Sequence, residues 1–459
     1  MKNKKTVFIL ILLFFVFMFL RFYNIEERII FDWDQEQFSY QIKNIVENKD
    51  FTLLGPRANN DRGFFLGPYF TYLLVPFYMF RNLHPIALID FMVIYNVAFF
   101  TLTFFVISKL FSQKHAFIFL SFWAMNPLLA LYDALPWWSL LLPLGIITIW
   151  YLLNKIYKKP NYINFVFLGL ALGLFINIRI EFIFLIVFSL FFLLWKSEIR
   201  KNLNLKNIFS FVSSFIFMFL PLIVFDMRHN FLNSNLFFKF FFSSTESSVG
   251  RDYLSWIPVA SNFFQPLTYI KNDSLTIIVF LLLGFLSIFL IRKRTGFQKL
   301  FYQSFLVVLI ITPLFFSFYG KRPSEYYFAY LYPFIALIFS DFLLSLKNKY
   351  LALLILTLFI FINVRQLNDN FKTNPLGLYF KNLTAKKIKE NVDLSKKINI
   401  TMDTPLGRNN GFNYLIDWYG IEQSGNYDDA LVQIKIPSTG TDVKINDEIG
   451  LLIPKNVRK

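Results

Sequence analysis

Long apolar runs alternate with short charged connections up to residue 364, after which polar positions dominate. The runs fall at roughly 6–22, 64–80, 86–108, 115–132, 136–153, 162–179, 180–195, 208–226, 274–291, 300–318, 327–346 and 350–364. Most have the length, about 17 to 24 residues, that carries a helix across a bilayer core. The pattern therefore predicts a mainly α, polytopic membrane protein. One run does not fit: Phe64–Phe80 is short and holds Gly67, Pro68 and Pro76, and proline removes a backbone donor that lipid cannot replace. We expect it to be re-entrant or interfacial.

Charge supports that reading. With Phe64–Phe80 left out, eleven spans remain, and the connections on the amino-terminal side are 1–6, 109–115, 154–160, 196–207, 292–299 and 347–349. They carry 18 Lys and Arg against one acid, Glu198, while the other 28 basic residues are matched by 28 acids, so the whole net charge of +17 sits on one face. That is the signature of a cytoplasmic face. It places the amino terminus inside and the carboxy terminus outside, and the basic excess needs no nucleic-acid partner. The first run follows a charged "MKNKK" but has no small-x-small cleavage site before Arg21, so it is expected to stay as an anchor.

Composition narrows the chemistry. Cysteine is absent and only His84, His115 and His229 remain as soft ligands, which excludes disulfides and thiolate nucleophiles and argues against a zinc enzyme. No cofactor is indicated, although the acids described below are of a kind a divalent ion uses. Residues 1–364 read as the membrane domain, with a first outer loop at about 23–85. Residues 365–459 contain the alternating stretches "INITMD" and "LVQIKIP" and the turn signals "GRNNG" and "PSTGTD", which predict a small extracytoplasmic α/β domain.

The stretch "FDWDQEQFSY", Phe31 to Tyr40, places Asp32, Asp34 and Glu36 just beyond the first span. From Asp34 onward the spacing predicts a helix with Phe38, Ile42, Ile45 and Val46 on one side, suited to the membrane surface. Asp34 and Gln37 fit a capping box. A carboxylate at a helix start is also placed to act as a general base. Further on, "LLGPRANNDRGFFLGPYFTYLLVPFY" frames a polar loop between two Gly-Pro pairs, an irregular backbone of the sort that lines cavities in membrane proteins; an ordinary surface loop is the other reading.

The "DQ" pair, "LLGP", "GPYFTYLLVPFY", "ALPWWSLLLP", "FDMRHNF" and "SEYYFAYLYPF" together resemble bacterial glycosyltransferases of the GT-C fold related to the protein O-mannosyltransferases and the lipid A aminoarabinose transferase. The resemblance implies a GT-C-like bundle of about eleven transmembrane helices with juxtamembrane helices in its first outer loop. It implies transfer of a sugar, with inversion, from a polyprenyl-phosphate donor to a glycan, lipid or protein acceptor outside the cytoplasm. Asp34 matches the functional acid of that loop, with Asp32 second. Many relatives have Asp-Glu where this chain has Asp34-Gln35, and their second acidic site has no secure counterpart. Asp133 is in a plausible outer position, and a cap before the span near Pro136 is the alternative. Substrate contacts are expected among Glu36, Arg57, Asn59, Tyr69, Asp133, Arg228, His229, Lys321, Arg322 and Tyr326. Of these, Arg57, Arg228, Lys321 and Arg322 are cations suited to a leaving phosphate, or to lipid headgroups. Arg179 and Glu181 are expected to pair with each other.

Two other functions compete. A flippase or exporter of lipid-linked saccharides would also need many spans, but transporters hold ionisable groups near midplane, whereas strong charges here fall at span ends. A non-catalytic assembly or sensor protein would leave the acidic loop unexplained.

Overall fold

The computed structural model describes residues 4–58, 63–201, 203–242, 253–268, 272, 274–319, 322–424 and 429–459. Its membrane part is mainly helical among the described residues, and each of the eleven expected spans coincides with a helix or a broken helix. Among the described residues six helices are long and apolar enough to cross a bilayer: Lys4–Phe22, Ala87–Leu110, Trp138–Lys158, Leu275–Lys293, Gly296–Tyr319 and Lys349–Phe371. Leu205–Phe217 and Leu220–Arg228 add a seventh span if taken as one path bent by 58°; Pro221, near the start of the second half, has no N–H to continue the ladder. Shorter apolar helices, Tyr162–Ile178, Ile180–Trp195 and Leu331–Ser345, fill the bundle. Tyr69–Phe80 has only 12 residues, about 18 Å at 1.5 Å per residue, well short of a core roughly 30 Å thick.

The basic connections meet at one end of the bundle. Gln298 donates to the Leu110 carbonyl, Lys293 to Ser345 and Lys196 to the Tyr157 hydroxyl. There too Asp341, fully buried, accepts from His115 Nε2 at 3.0 Å, from the Tyr302 hydroxyl at 2.7 Å and from Arg294. Three helices are thereby fastened by one charge-balanced cluster.

The opposite end carries the acidic loop and the C-terminal unit. After the helix Lys349–Leu367 the chain forms a helix, Leu378–Asn391, and a sheet of four strands, β1 (Ile398–Asp403), β2 (Ala430–Lys435), β3 (Val443–Lys444) and β4 (Gly450–Leu452), in the order β1-β2-β4-β3. β1 and β2 run parallel, which requires a crossover, supplied here by a path through the helix Asn413–Trp418. Alternate residues Ile398, Ile400, Val432 and Ile434 face a core shared with Leu378, Ala385 and Ile388.

This unit is bolted to the first outer loop. Glu36, expected among the ligand contacts, instead spends both carboxylate oxygens on it, accepting from the backbone N–H of Gly411 at 2.9 Å and of Tyr414 at 3.0 Å. Lys381 Nζ donates to the carbonyls of Phe31 and Asn410, each at 2.7 Å. Burial pulls the Lys381 ammonium down to about 8, against the pull of Asp32 and Glu36.

Candidate active site

The acidic segment enters its helix earlier than the sequence suggests, the first helical residue by one position and the cap by two. The helix is Trp33–Asn48, and Asp32 is its N-cap: Trp33 N–H donates to its carboxylate at 3.0 Å, and its own N–H donates to Gln35 Oε1 at 3.0 Å. The capping box is therefore Asp32/Gln35, not Asp34/Gln37. The correction follows from chain direction, because the neighbouring residue that leaves the helical conformation is Asp32, with extended backbone. It also frees Asp34 from structural duty at the helix start. The apolar face is as expected, with Phe38, Ile42 and Ile45 buried.

Asp34 sits in the first helical turn, half-buried, and accepts a hydrogen bond from Trp137 Nε1 at 3.2 Å. Desolvation raises its carboxyl to about 6; the Trp137 N–H opposes this, the like charge of Asp32 adds to it, and the more distant Arg179 opposes it. Trp137 is fixed from behind. Gln35 Nε2 donates to the Pro136 carbonyl at 3.2 Å, and the Trp137 ring meets Trp138 and Tyr326, the latter edge-on at 4.7 Å between centroids. Asp34, Asp32, Trp33, Trp137 and Asn410 border an open cavity of about 420 Å³.

Behind Trp137 the wall is held by ion pairs. Asp133, expected at the substrate or as a cap, is 2% exposed and is bound to Arg21 at 2.7 Å and to Trp123 Nε1 at 2.9 Å. It braces the end of the first span against the Trp137 loop. Arg179 and Glu181 pair as expected, with Arg179 Nε donating to Glu181 Oε2 at 2.9 Å, and the guanidinium lies 4.9 Å from the centre of the Tyr326 ring. Beyond it lies an apolar pocket lined by Phe64, Glu181, Phe184, Phe240, Tyr319 and Tyr327. Arg179, itself buried, thus links the Tyr326 that packs on Trp137 to the Glu181 that borders the apolar pocket.

The other expected contacts are dispersed. Arg57 Nε donates to the Gly63 carbonyl at 2.8 Å and its guanidinium packs on Phe65. The Tyr69 hydroxyl donates to Met218 at 2.7 Å, tying the short helix to the bent span. Arg228, His229 and Arg322 are exposed, with His229 stacked on Phe225. Asn59 and Lys321 lie outside the described residues. Among the described residues no group of three or more His, Asp or Glu side chains gathers to hold a metal. Sequence reading missed Trp137, Lys381 and Asn410 as site residues. Only Trp137 had a signal, the Pro-Trp-Trp run inside "ALPWWSLLLP".

The architecture has solved counterparts. The chain matches ArnT from Cupriavidus metallidurans in its apo state with a TM-score of 0.61 at 11% identity, over 96% of this chain and 97% of that one. The same enzyme bound to undecaprenyl phosphate gives 0.57 at 11% identity, over 94% and 93%. The oligosaccharyltransferase AglB from Archaeoglobus fulgidus, in complex with an inhibitory peptide and a dolichol-phosphate, gives 0.53 at 15% identity over 91% of this chain and 64% of its own. No protein-family model and no curated protein matches the sequence. The fold is GT-C, as the sequence resemblance implied.

Proposed function

We propose that the protein transfers a sugar, with inversion, from a polyprenyl-phosphate-linked donor to an acceptor on the outer side of the membrane, with Asp34 as general base. The observation that carries this reading is Asp34 itself: a carboxylate released from capping, half-buried at an open cavity and held by one indole N–H. Its ordinary value is raised to about 6, so at neutral pH it is ionised, yet a better proton acceptor than a solvated aspartate. The likeness to a fold solved with undecaprenyl phosphate supports the donor class. The gathering of basic connections at the opposite end supports an outward-facing site.

In this mechanism the acceptor oxygen attacks the anomeric carbon as its proton passes to Asp34. The bond from that carbon to the phosphate oxygen breaks with its electron pair, and polyprenyl phosphate leaves. Arg179, which links Tyr326 to the Glu181 at the apolar pocket, stabilises the departing charge in a site shielded from water, with Arg57 as the second candidate. The prenyl chain runs past that narrow pocket, about 30 Å³, in the adjoining apolar groove of about 320 Å³ lined by Phe64, Ile180, Phe219 and Phe237. Purified protein incubated with a panel of polyprenyl-phosphate sugars and cell-envelope acceptors is expected to release free polyprenyl phosphate. Absence of release with every donor, from correctly folded protein, sinks the transferase reading.

A further inference from the structure

One border of the Asp34 cavity comes from the far end of the chain. Asn410 lines it beside Asp32, Trp33, Asp34 and Trp137. Its placement is fixed from several directions. The next residue, Gly411, has φ +82°, and a Cβ there would come 2.2 Å from the Phe31 carbonyl oxygen, so only glycine lets the two backbones approach this closely. The Gly411 N–H donates to Glu36, 375 residues away in sequence. Lys381, 3% exposed, joins the Asn410 carbonyl to that of Phe31 through one ammonium.

The cavity's lining has a definite chemistry. Two carboxylates accept hydrogen bonds, and a carboxamide both donates and accepts, so together they match hydroxyl groups in either sense. Two indoles offer flat apolar faces, and Trp33 is 43% exposed. A volume of about 420 Å³ lies within the range of small-molecule sites, far larger than a lone serine or threonine hydroxyl would fill. Groups of this kind suit a ring with hydroxyls at its edge and C–H bonds on its faces.

We infer that the C-terminal unit supplies the acceptor-selecting wall of the site, and that the acceptor is a saccharide gripped by Asn410 and Trp33. Lys381 is the positioning residue that sets Asn410 in place. The inference rests on the reading of this cavity as the acceptor side of a transferase, so its first test needs no chemistry. Full-length protein in detergent is examined by saturation-transfer NMR with neutral hexose and N-acetylhexosamine disaccharides, a Ser/Thr peptide and ethanolamine as probes. Disaccharide signals are expected to saturate, and Asn410→Ala and Trp33→Ala each to weaken that binding at least about tenfold. Saturation of the peptide or the amine without the saccharides, or of no probe at all, overturns the assignment, as does undiminished saccharide binding by both variants.

The second test is kinetic. Asn410→Ala should raise the acceptor KM at least about tenfold while the donor KM stays within about twofold. Lys381→Met should do the same and Lys381→Arg should retain most of the wild-type acceptor KM. Equal changes in both constants, or none, refute the wall. If Lys381→Met does not fold, Asn410→Ala decides. Failure of every polyprenyl-phosphate donor would end the transferase reading alone, because the NMR result stands or falls on saccharide binding.

Discussion

Asp34 and Asp133 stand on two sides of one wall, and their surroundings differ in kind. Asp133 is buried against Arg21, with Trp123 adding a second donor; its charge is cancelled where it sits. Asp34 is held by one indole N–H, with no cation in direct contact among the described residues. At the basic end of the bundle Asp341 repeats the pattern of Asp133, with His115, Arg294 and Tyr302 around it. Buried carboxylates that hold helices together are paired, because an unpaired one costs several kcal/mol. A carboxylate kept for proton transfer is left incompletely satisfied, since every further donor lowers its basicity. The contrast separates the candidate catalytic acid from the structural ones without reference to any relative.

The largest effect is expected at Asp34. Asp34→Asn preserves size and leaves the Asp32 cap untouched, so folding should be near normal while transfer falls about 100- to 10,000-fold. Full activity in this variant would make Asp34 another structural acid. Asp133→Asn should do the opposite: Arg21, 0% exposed, would be left uncompensated at a cost of about 3–5 kcal/mol. Thermal unfolding in detergent should register that as a lowered midpoint, whereas the activity of the protein that remains folded should change far less. An activity loss matching that of Asp34→Asn at unchanged stability would erase the distinction.

A subtler test moves the base instead of deleting it. Asp34 must be ionised to accept a proton, so kcat/KM should rise with pH through an acid limb near 6 and level off above it. The Trp137 N–H favours the ionised form, and Trp137→Phe should therefore shift the limb to higher pH. A limb that stays put, or moves down, would detach Trp137 from the base. The smallest effect is expected at the rim of the C-terminal unit, where Lys43 meets Asp417 at 2.6 Å with both side chains partly exposed. Lys43→Met should cost no more than about 1 kcal/mol and leave turnover unchanged. A large loss there would mean that docking depends on the rim and not on Glu36 and Lys381.

The apolar helices, the shortness of Tyr69–Phe80 and the separation of charge were legible because each is a property of a short window of sequence. A run of about 20 apolar residues or a proline in a helix acts within its own segment, and charge asymmetry only has to be counted. Asp34 was legible as a candidate because an acidic segment beside a span is a local feature. Its environment was not. The indole that holds it is 103 residues away, the arginine that neutralises Asp133 is 112 residues away, and the loop that meets Glu36 is 375 residues away. Even the cap was displaced by two residues, because Asp32 and Asp34 offer the same side chain at the same helix start, and Gln35 at the third helical position settles the box on Asp32. Hydrophobicity and charge add along the chain, so residue order alone marked the apolar segments and the acids that follow the first of them. Which of those acids is paired, which caps a helix and which is desolvated became visible only in the folded arrangement, because desolvation and hydrogen bonding depend on what the fold brings within about 3 Å.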